Sequence, residues 1–443
     1  MYRKIVICAT VALSPNLAVG QIFSGAPKSP IASIPAVQML VAQARGNSPD
    51  LAAARFRAHA EHAKQGPAGA MPDPRLSFLV QKSPERHVAI NGGVPAHGSD
   101  PMDAQALSGV LPGMTEYSMS LGQEIPWPGK RAARENMAIQ EARMSEVGEQ
   151  GAFLALESNI LASCLNLMVT QARKELIASQ LGYWAAAEKI IKAGLDQGSG
   201  SAFEAIQAMQ EQSRLKLRAL ELEVQLQDQC DRINELTARA QNTPIEINAS
   251  ILGLELPKPL LADQIAADLK HRNTEWLASG VGIVGADAFL QVAKLDRFPD
   301  LMVSAGAAKA NGMPVGWMIE AGISIPLWAG RKQNKEVARA QSMRGAAESE
   351  QRGLALAIEA VSRERARSWK LAYETAKLYE SELLPQGEAA LEILIARFQN
   401  GGASFGTMVD ALGALLKDQE LRLDAIAQVH SMAIQQHGAM LSK

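Results

Sequence analysis

The sequence contains one pattern twice, and this internal repeat constrains the fold more than any other feature. The segment Gly122–Arg131 (GQEIPWPGKR) aligns with Gly322–Arg331 (GISIPLWAGR) 200 residues later, with glycine, isoleucine, proline and arginine in register. Leu195–Ala208 likewise aligns with Phe398–Ala411 at an offset of 203. Because these anchors recur in the same order, we expect two copies of one structural unit of about 200 residues.

The N-terminus predicts an exported protein. Arg3 and Lys4 precede a short apolar stretch, and the small residues Ala18 and Gly20 then form a cleavage pattern, as in a secretory signal peptide. A buried N-terminal helix is the alternative. The expected domain plan is a signal peptide at residues 1–20, an extended segment at 21–36, the first repeat at 37–241, an equatorial linker at 242–262 and the second repeat at 263–443.

Alternating residues predict β-strands in both repeats. Leu76–Val80 is a short strand candidate, and apolar and polar residues alternate with period two across 115–125 and 315–325. Four strands per chain cannot close a barrel or protect their own edges. We therefore expect three copies to pool 12 strands in one transmembrane barrel. The residues expected to face lipid are Tyr117, Met119, Leu121, Trp317, Ile319 and Ile323.

Long helices are expected after the second strand of each repeat. No proline occurs from Arg131 to Leu195, a stretch that would span about 98 Å as one helix. A returning helix is expected to run from Ser201 to about Ala240, and apolar seams on both helices indicate coiled-coil packing. Pro126 and Pro326 should end each strand before its helix begins. The turns between paired helices are expected at Gly198, Gly200 and Ser201 in the first repeat and at Gly401, Gly402 and Ser404 in the second. The predicted fold class is mixed α+β, mostly α.

Composition argues against several functions. A net charge of −2 provides no long-range attraction for nucleic acid, and three cysteines cannot build a disulfide scaffold. No nucleophile–base pair, phosphate-binding loop or metal-ligand cluster is recognisable. We therefore expect neither an enzyme nor a bound cofactor. A small soluble sheet at the end of a helical rod, in a structural coiled-coil protein without a pore, remains the alternative to a membrane barrel.

Five motifs in a fixed order resemble the TolC-like outer-membrane efflux protein family. They are PDPRL at Pro72–Leu76, QEIPWPGKR at Gln123–Arg131, ISIPLWAGR at Ile323–Arg331, LLPQGEAAL at Leu383–Leu391 and GGASFGTMVDAL at Gly401–Leu412. The resemblance covers essentially the whole mature chain, and QEIPWPGKR is most similar to the heavy-metal-efflux branch.

The resemblance implies a homotrimeric conduit in the outer membrane of a Gram-negative bacterium. Long helical hairpins would form a periplasmic tunnel below a 12-stranded barrel. Its partners would be outer-membrane lipid, a periplasmic adaptor protein and an inner-membrane pump of the resistance-nodulation-division type. The pump would supply the energy for efflux, and the conduit would pass substrates passively.

The resemblance also suggests roles for particular residues. Asp410 matches an aspartate at the periplasmic aperture of the family, whereas Thr407 replaces a second aspartate and weakens that gate. A solvated acid near a helix start is the alternative role of Asp410. The adaptor would contact the tips at Ala193, Gly194 and Leu195 and at Arg397 and Phe398. Ordinary helix C-termini are the alternative for these tips.

Cys164 and Cys230 both fall on predicted helix seams at similar distances from the same turn. In an oxidising compartment they could form a disulfide. Two buried thiols that do not bond are the alternative interpretation.

Overall fold

The computed structural model describes residues 29–82, 115–196, 202–310, 313–399 and 402–441. The expected signal peptide and the turn residues Gly198, Gly200, Ser201 and Gly401 lie outside these ranges. The described chain is mostly helical, and its strands form one four-stranded antiparallel sheet. The predicted class of a mostly helical α+β protein is therefore confirmed.

The order of elements occurs twice along the chain. Two short helices precede a pair of strands, and long helices follow. The first half contains α1 (Pro35–Asn47), α2 (Pro49–Gly69), β1 (Arg75–Lys82), β2 (Thr115–Ile125), α3 (Lys130–Asp196) and α4 (Ala202–Leu236). The second half contains α5 (Ala262–Arg272), α6 (Thr274–Leu295), β3 (Leu301–Ala310), β4 (Gly316–Ile323), α7 (Gln333–Leu378), α8 (Leu384–Gln399) and α9 (Phe405–His437). A π-helical turn, Tyr379–Leu383, joins α7 to α8 just before Pro385, which has no N–H to continue an α-helical ladder.

Several helix boundaries differ from the sequence expectation. Gly66 and Pro67 predict that the helix beginning at Pro49 ends near Gln65. Helix α2 instead continues to Gly69, because a proline in the last turn removes only one backbone hydrogen bond. Helix α4 ends at Leu236 rather than near Ala240, since Ala238 has a left-handed φ of 52° that cannot continue a helix. The described part of the expected extended segment contains a 3₁₀ turn at Pro30–Ser33.

The sheet has the strand order β1-β2-β3-β4, and each neighbouring pair is antiparallel. The central pair, β2 with β3, joins a strand of the first half to a strand of the second half. Strand β2 has the predicted bounds, whereas β4 is shorter than predicted and leaves Val315 and Ile325 outside it.

The chain divides into two compact units. The first, which we call the sheet unit, comprises residues 59–144 and 281–349 and contains all four strands. Leu290, Ala293, Val337 and Ala340 form its buried helical cluster.

The second, which we call the helical unit, comprises the remaining described residues. In its largest cluster Ile31 and Val37 pack with Ile160, Leu167 and other residues of α3 and α9. In another, Trp184 of α3 and Ala208 of α4 pack with Leu391 of α8 and Leu412 of α9. Ile160 of α3 and Leu222 of α4, which belong to the apolar seams expected from the sequence, are fully buried.

Two helical stretches, Lys130–Lys189 and Thr274–Leu295, are long and apolar enough to cross a membrane. Core helices of soluble proteins share this property, so it assigns neither stretch to a bilayer.

Candidate functional site

The sheet has one largely apolar face, on which Gln123 of β2 and Lys309 of β3 are polar. The strand register places Phe78, Met119, Ala307 and Trp317 side by side on the same face. Its bulkiest members are exposed: Trp317 retains 86% of its accessible surface and Ile319 retains 83%. The apolar residues of this face are Leu76, Phe78 and Val80 on β1, Tyr117, Met119, Leu121 and Ile125 on β2, Leu301, Val303, Ala305 and Ala307 on β3, and Trp317, Ile319, Ala321 and Ile323 on β4. An exposed apolar surface of this extent marks an interaction surface. All six residues predicted to face lipid lie on it.

The opposite face of the sheet is largely polar or small. Ser77 and Ser120 share a hydrogen bond of 2.8 Å between their hydroxyl oxygens, and Ser304 donates to Glu320 Oε2 at 3.2 Å. Strands of 8 to 11 residues with one apolar and one polar face match the length and pattern of transmembrane β-strands.

The two outer strands leave the sheet incomplete. Within the described residues, β1 and β4 each pair on one side only. Each therefore presents backbone N–H and C=O groups along one edge, and these groups can pair with another strand.

A buried ion pair closes the junction between β2 and α3. Lys130, whose side chain is 4% exposed, places Nζ 2.8 Å from Asp300 Oδ1 and 2.9 Å from Oδ2. The same ammonium donates to the carbonyl of Phe298 at 2.8 Å, and the backbone N–H of Trp127 donates to Asp300 Oδ1 at 2.8 Å. The rings of Trp127 and Phe298 stack with centroids 5.4 Å apart. The start of α3 is thereby held against the segment that leads into β3.

The electrostatic balance at Asp300 favours its charged form. Burial alone would raise the pKa of this carboxyl group. The hydrogen bonds from Lys130 and from the Trp127 N–H, with the attraction of Lys130 and Arg134, outweigh burial and lower the pKa of Asp300.

Asp300 also binds the end of β4 through its backbone. Its N–H donates to Ser324 Oγ at 2.9 Å, and its carbonyl accepts from the Ser324 N–H at 2.9 Å. One residue therefore joins the ends of β2, β3 and β4.

Two further hydrogen bonds hold the segment before β1 against the junction between β2 and α3. Gln123 Nε2 donates to the Pro72 carbonyl at 2.6 Å, and Arg131 Nε donates to the Gly69 carbonyl at 2.8 Å. Sequence reasoning missed Asp300 because its partner Lys130 lies 170 residues away in the chain.

The junction between β4 and α7 is much more open. Leu327 and Trp328 are 80% and 73% exposed, and Pro326 is half-buried. Pro126, the corresponding proline of the first junction, is buried. Pro126 directly follows the end of β2, whereas β4 already ends at Ile323, before Pro326.

The predicted aperture residues lie in the first two turns of α9. Ser404 caps this helix by accepting from the Thr407 N–H at 3.2 Å, and the Ser404 and Thr407 hydroxyl oxygens are 2.8 Å apart. Asp410 and Thr407 are both exposed, so both are free to face solvent or a pore.

The predicted adaptor-contact residues lie at two helix ends. Ala193, Gly194 and Leu195 lie in the last turns of α3, where only the backbone is described. Arg397 is exposed and Phe398 half-buried near the end of α8, and the Gly402 N–H donates to the Arg397 carbonyl at 2.8 Å.

Cys164 and Cys230 are free thiols, so the disulfide considered above is not formed. Both pack in the same apolar cluster, and burial raises the pKa of the Cys164 thiol to about 12. A thiol held in its neutral form by its surroundings is a poor nucleophile for disulfide formation.

A four-stranded antiparallel sheet together with long helices is also the fold of solved outer-membrane channels. The solved outer-membrane channel OprN superposes with a TM-score of 0.75 at 15% identity, over 95% of this chain and 95% of that chain. The transmembrane channel CusC superposes with a TM-score of 0.73 at 16% identity, over 96% of this chain and 95% of that one.

A relative found by sequence is also an outer-membrane protein. The chain is 23% identical over 415 residues to the pyoverdine export outer membrane protein OpmQ of Pseudomonas putida, covering 90% of this chain and 85% of that protein. No family model matches the chain. These similar proteins are outer-membrane channels and not enzymes, in agreement with the expected location and class.

Proposed function

We propose that this outer-membrane protein is the exit duct of a tripartite efflux system. Three copies each contribute four strands to a 12-stranded barrel, and their long helices continue as a periplasmic tunnel. The observation that carries this proposal is the sheet, which has an exposed apolar face, a polar opposite face and two unpaired edges. A closed barrel places these faces against lipid and water, respectively.

The edges of the sheet explain why several copies are needed. An open edge in the hydrocarbon region would leave backbone groups without hydrogen bonds, at a cost of several kcal/mol for each group. Pairing β4 of one copy with β1 of the next leaves neither outer strand with an unpaired edge.

The duct acts passively and depends on partners for energy. A periplasmic adaptor contacts the tips near Gly194 and Arg397, and an inner-membrane resistance-nodulation-division pump drives export. Asp410 lines the periplasmic aperture, with three copies placing three carboxylates around one pore. Thr407 adds no charge there, so the electrostatic gate is weak.

The motif QEIPWPGKR supports the narrower proposal of a heavy-metal-efflux duct. The relative OpmQ, by contrast, is named for pyoverdine export. Substrate assays should therefore compare sensitivity to metal salts with export of an organic compound in a deletion strain.

Two adjacent residues on opposite faces of β4 provide a direct test. Ile319→Arg places a charge on the apolar face, at a cost of about 2–4 kcal/mol near the middle of a bilayer. Met318→Arg places the same charge on the polar face. We expect Ile319→Arg to abolish membrane assembly, measured as heat-modifiable trimer in outer-membrane fractions, and Met318→Arg to assemble.

Normal assembly of Ile319→Arg would contradict a lipid-facing role for this surface. If a charge at Trp317 were tolerated as well, the structural coiled-coil alternative would be favoured.

A further inference from the structure

The turn between β4 and α7 continues the apolar face beyond the end of the sheet. Ile319, Ala321 and Ile323 lie on that face at every second position, and Ile325 is the next residue in this series. Ile325, Leu327 and Trp328 are all exposed. The apolar surface therefore extends past the last strand residue into the segment that begins α7.

Three basic residues follow this apolar segment in the sequence. Arg331, Lys332 and Lys335 are exposed, and none of them makes an ion pair with any residue that the structure describes. The nearest acidic residue in sequence, Glu336, is bound by Arg339 at 2.6 Å. Three cations thus remain available next to a protruding tryptophan.

We propose that the segment 325–335 anchors the protein to the phospholipid headgroup region of the membrane. Leu327 and Trp328 enter the boundary between headgroups and acyl chains, where tryptophan is enriched. Arg331, Lys332 and Lys335 bind the lipid phosphates, as cations next to an apolar segment do at membrane surfaces. This inference rests on the proposed outer-membrane function and assigns a partner to a segment outside the barrel strands.

Quenching of tryptophan fluorescence by brominated lipid tests the anchor. The full-length protein is reconstituted in phosphatidylcholine vesicles whose acyl chains carry bromine close to the headgroup, and Trp328→Phe is compared with wild type. Trp127, Trp317 and Trp328 are the exposed tryptophans of the sheet unit, so the variant should lose about a third of the quenched emission. Trp276→Phe, in the helical unit, is the matched control and should leave the quenched emission unchanged.

The basic residues are tested with anionic lipid. Replacing part of the phosphatidylcholine by phosphatidylglycerol should increase the quenching that depends on Trp328. The triple variant Arg331→Gln, Lys332→Gln, Lys335→Gln should abolish that increase. An increase that persists in the triple variant would overturn the phosphate contact.

Unchanged quenching in Trp328→Phe would overturn the anchor. The variant Leu327→Cys provides a second test. A disulfide between copies of this variant would place the segment at a subunit contact and would also overturn the anchor. Failure of the proposed function gives a different result, because quenching that depends on Trp317 and pore conductance would then be absent as well.

Discussion

The two strand-to-helix junctions occupy equivalent places in the repeat, but one is closed by packed side chains and the other is exposed. The first, Gln123–Arg131, is closed by the buried Lys130–Asp300 pair and by Trp127 stacked on Phe298. The second, Ile323–Arg331, has Gly330 at the position of Lys130 and exposes Leu327 and Trp328.

The difference shows how one residue, Asp300, contacts both strand-to-helix junctions. Asp300 uses its side chain for the first junction and its backbone for the second, so the second junction needs no buried cation. Gly129, at a φ of +93°, provides the tight turn that brings Lys130 inward, whereas the aligned Ala329 lacks this freedom. The second junction can therefore present apolar residues outward.

The largest expected effect comes from removing the buried cation. Lys130→Met leaves Asp300 charged, half-buried and without its partner, which should lower the free energy of unfolding by about 3 kcal/mol. Denaturant titration in detergent, followed by circular dichroism, measures this loss. Lys332→Met, directly after the second junction, removes an exposed cation and should change the free energy by less than about 0.5 kcal/mol.

The double variant Lys130→Met, Asp300→Leu sharpens this result. Because it removes both charges, it should be more stable than Lys130→Met alone. Equal stability of Lys130→Met and Lys332→Met would show that the two junctions do not differ energetically.

The second effect depends on pH. The folded state lowers the pKa of Asp300 below its ordinary value of 3.8, so the carboxylate stabilises the fold above that value. This contribution is lost as the pH falls through the lowered pKa. Asp300→Asn should therefore cost about 2 kcal/mol at pH 7, and the difference from wild type should shrink at the acidic end of a pH series. A difference that stays constant down to the most acidic pH would contradict the role of the charge.

The smallest effect compares two aromatic residues. Trp127→Leu removes the stack on Phe298 and should cost about 1 kcal/mol in detergent. Trp328→Leu removes a side chain that stacks on no aromatic ring among the described residues and should cost less than about 0.5 kcal/mol. Equal losses in the same thermal denaturation assay would remove the distinction between a packed and an open junction.

Local patterns predicted the parts of the fold that depend on neighbouring residues. The alternation at 115–125 predicted both ends of β2 correctly. Apolar and polar residues alternate in a strand that has one apolar and one polar face, so its bounds can be seen in the sequence. The helix from Lys130 to Asp196 was also predicted closely from a proline-free apolar seam. Pro67 was misleading, since a proline in a last helical turn costs little, and the C-terminal end of α2 was placed too early.

Long-range contacts were not predictable in the same way. Nothing near Lys130 shows that its partner is Asp300, and the two residues meet only because β2 pairs with β3. The two cysteines show the same limit. Equal distance from one turn left open whether Cys164 and Cys230 bond, and the structure describes both as free thiols.

Single-channel conductance in a planar lipid bilayer tests the central claim most directly, with Asp410→Ala measured beside the wild type. We expect the purified, detergent-extracted protein to form a steady, cation-preferring pore whose block by multivalent cations weakens in the variant. A pore indifferent to the substitution would remove the role of Asp410 at the aperture. A folded trimer that forms no pore would contradict the proposal that this protein is an export duct.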